Sequence, residues 1–279
     1  MRKSVAEVVE ATPGLKKSPL RVGRLIVELL TPVEQIARQS PSLVARHLEP
    51  LESESGKPFL PRYFHIGARG GDIPIRIGVF AAIHGDQPEG AYAIVRFIRL
   101  LESHPEIARG FALWFYPVCN PTGFEDKTRH SRNRKDLNRE FWVKSCEPEV
   151  CLLEAEILDR SFQGIITLHT DDTSEGFYGI ANGATLTRHL IEPALKAAEQ
   201  FLPRDPRPKI DGFRARNGIV GERYPGVLSA PPEARPRPFE IILEVPSSPP
   251  SFLKECAFVA ALSSILVEYR RLMGHAPNL

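Results

Sequence analysis

Ile75-Arg76-Ile77-Gly78-Val79-Phe80-Ala81-Ala82-Ile83 runs straight into His84-Gly85-Asp86-Gln87-Pro88-Glu89-Gly90, and this stretch decides the fold. Its first part is nearly continuous in apolar and β-branched residues, as a strand buried on both faces should be, because such a strand has no wet side to furnish with polar residues. Beyond the polar run, Ala91, Ile94, Val95, Phe97, Ile98 and Leu101 recur at helical spacing. Pro88 falls just inside the expected helix start, where a missing N–H costs nothing.

Working outward, the periodicity predicts a helix near Val22 to Leu30 and a strand near Arg62 to Ile66. Downstream it predicts a strand at Ala112 to Val118, a helix at Pro148 to Asp159 and a short strand at Gly164 to Leu168. A helix at Thr185 to Phe201, a strand at Phe239 to Val245 and a closing helix at Pro250 to Leu272 complete the reading. Strands alternating with helices argue one α/β domain spanning residues 1–279, with a mixed, mostly parallel sheet covered on both faces. Residues 1–55 are expected to form an N-terminal helical extension. Of the 26 prolines, a dense group lies between Pro203 and Pro238, so residues 203–238 are expected to be irregular loop walling the site.

Lys and Arg number 36 against 34 Asp and Glu, a net charge of +2, and 42% of the 279 residues are hydrophobic. That composition excludes a disordered tail, and its near-neutral field does not recruit nucleic acid or an anionic membrane. The longest apolar stretch, Ala257 to Val267, is well short of the roughly 20 residues that cross a bilayer. The N-terminus does not read as a signal peptide, so the expected compartment is the cytoplasm. Cys119, Cys146, Cys151 and Cys256 lack Cys-x-x-Cys spacing and are expected to be reduced, mostly buried thiols.

Three polar residues close buried strands in this reading, and in open α/β sheets ligands bind beyond strand ends. They are His84, His169 and Glu244. Either histidine alone would suit a structural role; two at strand ends point to a site. Glu244 interrupts an apolar strand just before Pro246, and a buried carboxylate needs a partner or a metal to stay charged. Its plainer reading is a surface residue of an edge strand, sharing a face with Glu240.

The order of further motifs carries a resemblance. Asn120-Pro121-Thr122-Gly123-Phe124 is followed by Arg129, nine residues before Asn138 of Asp136-Leu137-Asn138-Arg139-Glu140-Phe141. With His-Gly-Asp-x-Pro-Glu-Gly before them and strands ending in Leu-His and Glu-x-Pro after them, they resemble the zinc carboxypeptidase superfamily. The branch most similar contains succinylglutamate desuccinylase and aspartoacylase. The resemblance implies that His84 and His169 bind one zinc ion and that residue 87 is the third ligand. Asp136 would accept the second ring N–H of His84. Arg129 would polarise the scissile carbonyl, and Asn138 and Arg139 would grip a substrate carboxylate. Glu244 would act as general base on the attacking water. Tyr224, in the Pro-rich stretch, would cover the substrate as a tyrosine does in carboxypeptidases.

This sequence departs from the family at Gln87, where the family carries glutamate. A neutral amide is a weaker zinc donor, so metal affinity should fall; Asp86 and Glu89 are alternative carboxylates. The expected reaction is amide hydrolysis of a small peptide or an N-acyl amino acid with a free carboxylate. Only 35 residues follow Glu244 (279 − 244), without the extra β-rich domain of desuccinylases, which favours the carboxypeptidase-like reading over the deacylase. A binding protein whose metal site has decayed through Gln87 is the reading from another class. The basic run Lys127 to Lys135 lacks interleaved aromatics, so nucleic-acid binding is the least favoured. A homo-oligomer is compatible with the sequence.

Overall fold

The computed structural model describes residues 23–48, 59–70 and 73–275. In chain order its elements are α1 (Arg24–Gln39), β1 (Leu43–Ala45), β2 (Tyr63–Ile66), β3 (Ile75–Ala81), α2 (Glu89–Ser103), β4 (Phe111–Tyr116), α3 (Pro121–Asp126) and α4 (Pro148–Arg160). They continue as β5 (Gly164–Asp171), β6 (Tyr178–Ala181), the broken helix α5 (184–198), β7 (Lys209–Ile210), β8 (Phe213–Arg216), β9 (Ile219–Val220), β10 (Phe239–Pro246) and α6 (Ser251–His275).

The strands form one mixed sheet in the order β1-β2-β4-β3-β5-β10-β6-β9-β8-β7. Its long central strands β4, β3, β5 and β10 run parallel. The β1–β2–β4 flank is antiparallel, as are β10–β6, β9–β8 and β8–β7, while β6 and β9 are parallel. Side-chain alternation sorts the two faces. Ile77, Val79 and Ala81 of β3, Ile166 and Leu168 of β5, and Ile241, Leu243 and Val245 of β10 join the larger core under α1, α2, α5 and α6. Phe80 and Ile165 point the other way, into a smaller core shared with Val150, Leu153 and Ile157 of α4. On β10 this second face carries Glu240, Ile242 and Glu244, so the edge-strand reading of Glu244 fails: β10 lies between β5 and β6.

Several expectations need correcting. Helix α1 runs past Leu30 to Gln39 despite Pro32, because the buried stripe Ile26, Leu29, Leu30, Val33, Ala37 continues through it; Val22 lies outside the described residues. Within residues 1–55 the described part is not all helix, since β1 pairs with β2. Residues 203–238 are not wholly irregular: the proline-free interval after Pro208 folds into β7, β8 and β9. Asp211-Gly212 and Asn217-Gly218 all take positive φ (49°, 86°, 52° and 72°), the conformation that tight hairpin turns demand and that these residue pairs favour. Helix α5 is interrupted by a π-turn at Thr187–Ile191 just before Pro193, which has no N–H to continue the helical ladder. The thiols are less buried than expected: Cys119 is buried and Cys256 half-buried, but Cys146 and Cys151 are exposed. Among the described residues no helix is long and apolar enough to cross a membrane.

Candidate active site

Three segments bring the site together at the C-terminal ends of the parallel strands. Strand β5 extends through His169, and parallel register sets Glu244 of β10 directly beside it. Both residues therefore lie within their strands rather than beyond them. His84 stands three residues past the end of β3, in a turn that packs on α3. A Cβ on Gly85 would lie 2.0 Å from the Gly123 carbonyl carbon, and one on Gly123 would lie 2.5 Å from Asn120 Nδ2. The glycines of His-Gly and Asn-Pro-x-Gly are thus the price of bringing two backbones into contact. Asn120 caps α3, its Oδ1 accepting from Gly123 N at 2.9 Å. The same residue donates from Nδ2 to the Arg129 carbonyl at 3.4 Å, which ties the basic loop to the cap.

His84 Nε2 lies 3.0 Å from Asp136 Oδ1, the partner the resemblance implied. With that carboxylate accepting Nε2–H, a neutral His84 keeps its lone pair on Nδ1. Gln87 Oε1 lies 3.1 Å from His84 Nδ1 and 3.3 Å from His169 Nδ1. The amide cannot turn its donor to the histidines, because Gln87 Nε2 donates to the Thr170 carbonyl at 2.6 Å. Acceptors facing one another at these distances require protons or a cation between them. Burial above all, followed by the adjacent His84 ring and the Arg129 guanidinium, pushes His169 well below the usual histidine range and keeps it neutral. Zinc bonds of about 2.0–2.1 Å at tetrahedral angles put neighbouring donors about 3.3 Å apart, so the separation of each histidine nitrogen from the Gln87 oxygen fits such an ion.

Neither alternative carboxylate replaces Gln87. Glu89 accepts from Lys254 Nζ at 2.5 Å and from Thr170 Oγ1 at 2.8 Å, which occupies both its oxygens away from the histidines. Asp86 is exposed at the cleft mouth. Among the described residues no three His, Cys, Asp or Glu side chains converge as a metal-binding group.

The surrounding cleft holds about 370 Å³ and is lined by His84, Gln87, His169, Glu244, Arg129, Asn138, Arg139 and Tyr224. Asp136 stands behind it. Burial opposes ionisation of Asp136, yet the hydrogen bonds from His84 and Arg129, with the guanidinium charge, outweigh it and hold the group well below the usual carboxylate range. Arg129 reaches Asp136 Oδ2 with Nε at 3.3 Å and Nη2 at 3.0 Å. Arg139 is exposed, and its guanidinium carbon lies 4.6 Å from the centre of the Tyr224 ring. Tyr224 OH donates to the Asp211 carbonyl at 2.9 Å, so the β7–β8 turn holds the ring in place. Asn138 is buried, and its Oδ1 accepts from Leu228 N at 2.9 Å, which fixes the amide. Arg132, Arg134 and Lys135 are exposed and do not line the cleft.

Burial, reinforced by the negative charges of Asp171 and Asp211, pushes the Glu244 carboxyl well above the usual range. Reading the sequence missed Asp171, Asp211 and Tyr178, which belong to this wall; Tyr178 OH donates to Asp171 Oδ2 at 3.0 Å. The signal available for Asp211 was its place in Asp-Gly, a hairpin pair.

Residues 75–203 match the succinylglutamate desuccinylase/aspartoacylase catalytic domain. A search among curated proteins finds no match. Among solved structures, a candidate metallopeptidase of Shewanella baltica OS155 is 20% identical, with 87% of this chain and 91% of that one aligned at a TM-score of 0.71. A metallo-carboxypeptidase from Burkholderia cenocepacia is 14% identical over 88% of this chain and 69% of that one, at 0.67. A metallo-carboxypeptidase from Pseudomonas aeruginosa, solved with (2-guanidinoethylmercapto)succinic acid, is 16% identical over 85% and 67%, at 0.63. At these identities the likeness is one of fold.

Proposed function

We propose, on the premise that the chain is a succinylglutamate desuccinylase/aspartoacylase-like member of the zinc carboxypeptidase superfamily, that this hydrolase cleaves an amide bond next to a free carboxylate. The observation that carries the reading is the convergence of His84 Nδ1, His169 Nδ1 and Gln87 Oε1 in a cleft that also presents Glu244, Arg129 and Arg139. Arg139 binds the substrate carboxylate, with Tyr224 bracing the guanidinium from its flat face. Asn138 forms the floor beside it. Arg129, held by Asp136, stabilises the negative charge that grows on the scissile carbonyl oxygen. Glu244 accepts the proton of the attacking water and passes it to the leaving nitrogen, a role its raised proton affinity suits. Zinc held by His84, His169 and Gln87 would supply Lewis acidity, polarising the carbonyl and making water a better acid; with three neutral donors it would keep its full double charge.

The match over residues 75–203 favours an N-acyl amino acid deacylase as the second reading. Metal analysis of protein purified without chelator, followed by assays on dipeptides and on N-acylated amino acids, separates the alternatives. We expect hydrolysis that chelation abolishes and zinc restores. Substrate binding without turnover at saturating zinc would replace the hydrolase reading with a binding protein.

A further inference from the structure

Cys146 and Cys151 flank the start of α4 on the protein surface. Helix α4 begins at Pro148 with Glu147 as its N-cap, which puts Cys146 one residue before the cap and Cys151 four into the helix. These are the two positions whose side chains meet across a helix start when both are apolar. Cys151 Sγ indeed points back over the cap, donating to the Ser145 carbonyl oxygen at 3.3 Å, the peptide group that leads into Cys146. Both thiols are exposed, whereas Cys119 is buried and Cys256 half-buried.

The residues on either side of Cys146 bolt this segment to the loop of the active site. Ser145 Oγ donates to Glu140 Oε2 at 2.8 Å and accepts from Glu147 N at 3.3 Å. The buried Glu147 carboxylate accepts from Ser131 Oγ at 2.9 Å and Asn133 Nδ2 at 3.3 Å. Ser131 is the hub of the loop, with its N–H on the Lys135 carbonyl and its own carbonyl on Arg134 N. Arg129, Asp136, Asn138 and Arg139 all ride on that loop or its end.

We infer that Cys146 and Cys151 are a surface dithiol that closes to a disulfide, and that closure loosens the grip of Ser145 and Glu147 on the loop carrying Arg129 and Asp136. A low-molecular-weight disulfide serves as oxidant. The Cys146 thiolate attacks one of its sulfurs and expels a thiolate. The Cys151 thiolate then attacks the mixed disulfide at the Cys146 sulfur and expels the second. Two protein thiols are oxidised, one small disulfide is reduced to two thiols, and the two protons end on those products. Drawing Cys146 toward the helix moves the peptide groups of Ser145 and Glu147, which are the two bolts. The inference does not depend on which substrate the cleft takes.

The test treats the reduced full chain with oxidised glutathione, blocks remaining thiols with iodoacetamide and maps the peptides by mass. The natural protein should carry an internal Cys146–Cys151 bond and no glutathione on either residue. Cys146→Ser and Cys151→Ser should each trap glutathione on the remaining thiol. Hydrogen exchange at Ser131, Arg134 and Lys135 should be at least about tenfold faster in the closed form, and dithiothreitol should reverse it. Glutathione left on either cysteine of the natural protein, or ring closure with loop exchange unchanged, overturns the inference.

Discussion

At the scale of single residues, the cleft assigns opposite electrostatic tasks to neighbouring groups. Glu244 is raised by burial and by Asp171 and Asp211, and the general base proposed for it works only when deprotonated, so kcat/KM should climb with pH along an acid limb lying above the ordinary carboxylate range. Asp211→Asn keeps an oxygen for Tyr224 but removes a negative charge, and the limb should move to lower pH; a profile that stays in place would detach Asp211 from the base. Glu244→Gln should cut turnover by about 10²-fold or more while zinc and substrate still bind, as calorimetry would show. Arg139→Ala should raise KM about tenfold or more for substrates with a free carboxylate and spare their esters. Equal losses on both would make Arg139 a prop for Tyr224. Gln87 is the most particular residue of the set. Its amide is used at both ends, oxygen toward the histidines and nitrogen on the Thr170 carbonyl. Gln87→Ala should weaken zinc binding about tenfold or more against a competing chelator. Gln87→Glu adds a charge but sets oxygen against the Thr170 oxygen, so its gain should stay below about tenfold.

At the scale of elements, the buried strand β3 and the helix after it were plain in the sequence, because a doubly buried strand and an amphipathic helix write different periods into their residues. The motif residues were legible too, since His84, Gln87, Asp136 and His169 meet as their order implied. Hidden were the features that depend on contacts distant in sequence. That β10 enters the middle of the sheet cannot be read from its own residues, and neither can the donation of Gln87 to Thr170, 83 positions away. The hairpins of residues 209–220 were missed for a different reason: proline density around them hid two Asp-Gly and Asn-Gly turns. Strand β2 adds a prediction of its own. His65 is fully enclosed, and burial lowers it from 6.5 to about 4. The unfolded chain therefore takes up the proton first, so stability should fall as pH drops from about 6.5 toward about 4 and be independent of this residue above that window. In His65→Leu, urea unfolding across that window should show a pH slope shallower by about one proton.

At the scale of the whole molecule, the two faces of the sheet do different work. One is sealed by α1, α2, α5 and α6 over the larger core, and the other is covered by α4 only in part, leaving the ends of β5 and β10 open to the cleft. The order β5-β10-β6 has a consequence in time. Strands β5 and β6 leave the ribosome well before β10, yet they are not neighbours in the finished sheet. Until residues 239–246 arrive, each presents an unpaired edge toward a gap that only β10 fills. Pairing over such sequence distances is slow, because the loop must be closed before any contact repays it. The nascent chain thus already holds both histidines and the arginines while its sheet is split, and the strand that closes the gap is the one that brings Glu244. Assembly of the fold and completion of the cleft become a single late event, so a stalled or incomplete chain is an aggregation hazard with its cleft unfinished.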